Sequence, residues 1–156
     1  MVARAEGRFD EAREGYRRLL DMSRKLDYRR GILYTLNNLG TTSLDMDDPA
    51  AAEGYLIDGL RVSNEIGQIS ESLALVCEIA TAKTKLGDPQ RALELVTAVS
   101  ANPASDQHQR HNPLSIRDVA EAIRAAVIDA GATLNHSAPP PTFEAVVSSL
   151  LERANP

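Results

Sequence analysis

The sequence predicts an all-α fold: an α-α superhelix of antiparallel helix hairpins, about 2.5 repeats long, closed by a carboxy-terminal helical cap. Three observations carry this reading. Segments GRFDEAREGYRRLL from Gly7, DDPAAAEGYLIDGL from Asp47 and GDPQRALELVTAVS from Gly87 align without gaps at a spacing of 40 residues. Within them, apolar and small residues recur three and four positions apart, which is the spacing of one helix face. Helix punctuation falls in the same register: Asp48-Pro49 and Asp88-Pro89 read as an N-cap followed by a first-turn proline.

Taken in order, the first unit covers about residues 1–27, with its second helix over 9–26 and most of its opening helix missing before Gly7. Such a start fits a carboxy-terminal piece of a longer chain, or an edge that a partner buries, because repeat arrays carry polar caps at their ends. The second unit, 28–67, pairs the helix LYTLNNLGTTSLDM from Leu33 with the helix that opens at Asp48. The third, 68–100, repeats that pairing with LALVCEIATAKTKL from Leu73. Gly67 and Gly87 close the helices before them. Ala12, Ala52 and Ala92 coincide; Tyr16, Leu56 and Val96 follow, then Leu19, Gly59 and Val99. Leu36 matches Val76, Leu39 matches Ile79 and Gly40 matches Ala80. The small residues let neighbouring helices approach closely enough for larger side chains to interdigitate.

After Ser100 the register fails. Residues 101–113 are polar with two prolines and read as a connector. Residues 114–156 read as capping helices. Pro113 and Leu114 open the first, which runs to about Ala130 with Ile116, Val119, Ala120, Ile123 and Val127 on one face and Gly131 as its stop. A proline-rich loop, 132–141, leads to Thr142, which caps a last helix with Phe143, Val146, Val147, Leu150 and Leu151 inward. The pair would cover the apolar side of helix 89–100; a mobile helix displaced by a ligand is the alternative use.

Composition narrows the function. A net charge of −5 supplies no basic stripe for phosphate backbones; the basic residues from Arg13 to Arg30 are interleaved with Glu11, Glu14, Asp21 and Asp27. One cysteine, Cys77, makes no internal disulfide, as expected of a cytoplasmic protein. No apolar run reaches the ~18 residues of a membrane span, and the first residues resemble no secretion signal.

The pattern Leu36, Leu39-Gly40, Asp47-Asp48, Ala52, Leu56 and Gly59, repeated as Val76, Ile79-Ala80, Gly87-Asp88, Ala92 and Val96, resembles the tetratricopeptide repeat family over about 100 residues. The 40-residue period is longer than the usual 34. It is similar to the long-helix variant in the carboxy-terminal arrays of large bacterial regulators of the STAND and LuxR types. The family's usual tyrosine on the first helix is replaced by Ser43 and Lys83, and Val99 is larger than the small residue it prefers. The resemblance implies a non-catalytic module that binds a protein or peptide on the inner face, made by the first helix of each unit. Here that face is Tyr34, Asn37, Asn38, Thr41 and Asp45, then Ala74, Cys77, Glu78, Thr81 and Lys85. Asn37 and Asn38 suit a peptide backbone, and Asn37 equally suits a bond between helices. Lys85 is the one base there, with Asp45 and Glu78 opposing it, so a basic or mixed partner fits better than a carboxylate.

Two rival functions stand beside this one. A free-standing adaptor would self-associate into a homo-oligomer through its open amino-terminal edge. A small metal-dependent enzyme would use Asp106, His108 and His111, with His136 in the next loop, as zinc ligands or an acid–base pair; a proline-flanked loop is a poor frame for either. No phosphate-cradling loop, HExxH or GxSxG occurs, and no cofactor is implied.

Overall fold

The computed structural model describes residues 2–106, 115–133 and 139–153. Its helices are α1 (Val2–Ala5), α2 (Phe9–Lys25), α3 (Arg29–Asp45), α4 (Pro49–Glu65), α5 (Ile69–Lys85), α6 (Pro89–Ala101), α7 (Ile116–Asp129) and α8 (Phe143–Arg153), with a 3-10 turn at Pro103–Asp106. The described residues are all-α, as expected, and from α1 to α7 each helix packs on the next along the chain.

The regularity is finer than a 40-residue hairpin. Helices begin at 9, 29, 49, 69 and 89, and four in succession have 17 residues, about 26 Å each. One turn design produces this beat. The N–H groups of Tyr28, Asp48, Gln68 and Asp88 reach back to the carbonyls of Ser23, Ser43, Ser63 and Lys83, each at 2.9 Å, which is the Schellman closure. It requires a left-handed residue at the preceding position, and Asp27, Asp47, Gly67 and Gly87 supply it with φ of 46°, 57°, 68° and 80°. Serine is buried three times at the same point: Ser23, Ser43 and Ser63. Asp48 and Asp88 cap α4 and α6 by accepting from the N–H of Ala51 and of Arg91, both at 3.1 Å.

Packing follows the aligned columns. Leu39, Ala52, Leu56, Leu60, Ile79, Ala80, Ala92, Val96 and Val99 are fully buried. Leu19 departs from its column: it is 46% exposed, where Gly59 and Val99 are buried. Gly59 is covered by Leu36 of its own hairpin and Leu75 of the next.

In the carboxy-terminal part, α7 begins at Ile116 with Ser115 as its cap; Pro113 and Leu114, expected to open it, lie outside the described residues. Ser115 and Asp118 form a reciprocal capping box there, which satisfies two backbone donors at once. Helix α7 packs on α6 and α5, and α8 lies across α6 and α4. Arg91 donates to Ser149 Oγ at 2.8 Å, and the Gln90 amide pairs with both backbone groups of Thr133 at 3.2 Å. Ile116, Ala120 and Val127 are buried, as are Phe143, Val146, Val147 and Leu150; Val119, Ile123 and Leu151 pack at their margin. Thr142 caps α8, its Oγ1 accepting from the Ala145 N–H at 3.2 Å.

Candidate partner-binding groove

The first helices of the hairpins, α1, α3 and α5, form one row, stitched at the ends of the helices by charge. Arg4 Nε donates to Asp45 Oδ2 at 2.6 Å, and Lys85 Nζ to Asp47 Oδ1 at 2.6 Å. Lys85, the one base set against Asp45 and Glu78 in the sequence, is thus held by Asp47. Lys85 reaches two residues past Asp45, to the left-handed turn residue, while Asp45 is taken by Arg4.

On α3, Tyr34 and Asp45 are exposed, and Asn37, Asn38 and Thr41 are half-buried. Spacing of three and four residues places them on one side of the helix. Two of them are pinned by their own backbone: Asn38 Nδ2 donates to the Tyr34 carbonyl at 2.7 Å, and Thr41 Oγ1 to those of Asn37 and Asn38 at 3.2 Å. Asn37 makes no side-chain bond among the described residues, so its amide is not consumed in joining helices.

On α5, Lys85 is exposed, Glu78 and Thr81 are half-buried, and Ala74 and Cys77 are buried. The last two therefore back the groove and do not line its surface. Thr81 Oγ1 donates to the Cys77 carbonyl at 3.2 Å. Burial, reinforced by the negative charge of Glu78, pushes the Cys77 thiol up to about 12, so it is no thiolate nucleophile at neutral pH.

Glu78 is the anomaly of the row. Its Oε2 is buried with no hydrogen-bond partner among the described residues. Burial first, and then the charge of Asp45, push its carboxyl up to about 8, against the opposing pull of Arg4.

A cavity of about 500 Å³ is lined by Arg4, Ala5, Phe9, Tyr16, Asn38 and Asp45, with Glu78 not among them. Sequence reasoning found only Asn38 and Asp45 of these. The column of Tyr16, Leu56 and Val96 held the missing signal. Leu56 is met by Gly40, whereas Tyr16, buried like Leu56, also lines the cavity.

Metal chemistry finds no frame in the described residues: no group of three or more His, Cys, Asp or Glu is placed to hold an ion among them. Asp106 is paired with Arg117 at 2.6 Å. His108, His111 and His136 lie outside the described residues. No helix among those described is long and apolar enough to cross a membrane.

No curated protein and no solved structure matches the chain. Residues 1–65, from α1 to the end of α4, match the family model described as Tetratricopeptide repeat, and over that stretch the chain is similar to the family whose helix-hairpin plan continues through α5 and α6.

Proposed function

We propose that this chain is a non-catalytic protein–protein interaction module, the sensor or regulatory repeat region of a bacterial signalling or transcription regulator, working in the cytoplasm. Tetratricopeptide repeats generally mediate contacts between proteins. The observation that carries the reading is the α1–α3–α5 row itself. It presents Tyr34, Asn37, Asp45 and Lys85, with Asn38 and Asp45 lining a cavity, on helices whose apolar faces are already committed to the core. The arrangement offers surface and polar specificity, and no paired groups poised for proton transfer.

The test is binding with the fold intact. Tyr34→Ala combined with Asn37→Ala removes an exposed ring and an uncommitted amide. Affinity for the physiological partner is expected to fall about tenfold or more, with helical circular dichroism and unfolding midpoint unchanged. Unchanged affinity would move the interaction off this row.

A second reading has one observation in its favour. Leu19, Met22 and Leu26 are 46%, 56% and 72% exposed along one side of α2, which suits self-association through the amino-terminal edge. Sedimentation from micromolar to millimolar chain decides it. A dimer abolished by Met22→Glu is the expected result, and a monomer throughout the range would end that reading.

A further inference from the structure

We propose that the groove between α2 and α4 is a second docking surface, and that it takes an acidic amphipathic helix of a partner protein. It stands apart from the α1–α3–α5 row, because α2 and α4 are the second helices of their hairpins.

The fold already holds a helix in a groove of this kind. Across the next two second helices, α4 and α6, lies the chain's own α8. Arg91 of α6 donates to Ser149 of α8 at 2.8 Å. Leu95 and Ala98, at helical spacing from Arg91, are buried on the same side. From α8, Phe143, Val146, Val147 and Leu150 are buried, the spacing of an amphipathic helix.

The 40-residue register carries this groove back by one hairpin. Arg91, Leu95 and Ala98 of α6 correspond to Ala51, Tyr55 and Asp58 of α4, and Ile57 and Leu60 of α4 to Arg17 and Leu20 of α2. Among the described residues no helix lies across α2 and α4 as α8 lies across α4 and α6. A cavity of about 270 Å³ stands there, lined by Tyr55 and Asp58 of α4, Leu36 of α3, and Arg17, Leu20, Asp21 and Arg24 of α2. Its walls all belong to α2, α3 and α4. Leu20 and Leu36 are buried and supply apolar surface. The volume falls below the roughly 300–1,000 Å³ of small-molecule sites, so it suits one anchoring side chain of a helix laid along the groove.

Charge selects the helix. Where α8 lies, Ile57, Leu95 and Ala98 are buried and apolar; their counterparts here are Arg17, Tyr55 and Asp58. Asp58 is already paired with Arg61 at 2.8 Å. Arg17 faces the Tyr55 hydroxyl, and neither Arg17 nor Arg24 has a carboxylate partner among the described residues. Asp21 is the one open carboxylate on the cavity wall, so two cations face one anion. Arg17 and Arg24 are two turns apart, about 10 Å along α2, and acidic residues on the flank of a docked helix can meet both. A nucleic-acid backbone would be repelled by Asp21 and Asp58.

The experiment uses the full chain with 13C-labelled leucine methyl groups and two synthetic amphipathic helices. Both carry leucines at three- and four-residue spacing; one is flanked by glutamates, its twin by lysines. The glutamate peptide is expected to shift the Leu20 and Leu36 methyl signals, with an affinity several-fold above its twin's that falls with added salt. Arg17→Glu with Arg24→Glu, both at exposed positions, is expected to reverse the preference and leave helical circular dichroism unchanged. Arg24→Gln, a milder change, is expected to weaken the glutamate peptide alone. Equal binding of the two peptides, or no shift at Leu20 and Leu36 with millimolar peptide, overturns the proposal. A shift confined to Leu150 overturns it as well, since the peptide would then be displacing α8. Leu20 and Leu36 signals that move with chain concentration alone would give the groove to a second copy and rule out the partner helix.

Discussion

Glu78→Gln is expected to stabilise the fold at pH 9 and to leave it nearly unchanged at pH 4. Folding raises this carboxyl from 4.5 to about 8. Below 4.5 it is protonated in both the folded and unfolded chain, and its burial costs no charge. Between 4.5 and 8 the unfolded chain releases the proton while the folded one holds it, so stability falls as pH rises. Above 8 both states are ionised and the loss is complete. The full span corresponds to on the order of 3–5 kcal/mol. A glutamine occupies the same volume with no charge to bury, so the gap between variant and wild type should open with pH. Urea unfolding of both chains at pH 4, 7 and 9 measures it. Parallel stability profiles would show that Glu78 ionises without cost, and that it has a partner after all.

The second large effect lies where α3 crosses α4. A methyl group added at Gly40 would sit 2.5 Å from Leu56 Cδ2 and 2.6 Å from Cγ. Cγ is the branch point of a fully buried leucine, so the clash cannot be relieved by moving a side-chain tip. Gly40→Ala should cost about 1–3 kcal/mol through overpacking, despite alanine's better helix propensity. Leu56→Ala should cost about 2–5 kcal/mol by leaving a cavity. Together they should cost less than the sum, because the new methyl enters the space the leucine vacates. Gly59 provides the control within the same hairpin. Its added methyl would meet Leu75 at 3.5 Å and Leu36 at 3.6 Å, ordinary contact, so Gly59→Ala should be neutral or stabilising by up to about 1 kcal/mol. Equal effects at the two glycines in denaturant titrations would mean that close approach is not what position 40 requires.

That contrast shows what a sequence can and cannot carry. Gly40 and Gly59 both read as small residues at helix contacts, and both lie in the interior. Only the distance to Leu56 separates the one that must be glycine from the one that need not be. The columns of Ala12, Tyr16 and their counterparts gave the helix order because an apolar face repeats every three or four residues whatever its partner. Leu19 misled for the same reason: its spacing records a face but not whether a neighbour covers it. Asp27 and Asp47 hid the 20-residue beat, since an aspartate in a left-handed turn looks like any other polar residue, whereas Gly67 and Gly87 announced themselves. In the proposed groove, Tyr34 and Asn37 follow from the resemblance to the repeat family, whose inner face the first helices make. Arg4, 41 positions from Asp45, was not legible, because a pairing between rows depends on how far one helix end slides past another.

The reach of α8 has a consequence for how the molecule comes apart. By lying across both α6 and α4, it ties the third hairpin to the second, and Arg91 and Gln90 fasten the segments after α7 back onto α6. A linear stack would come apart one hairpin at a time; a helix that spans two hairpins makes the second and third open together, as one cooperative unit.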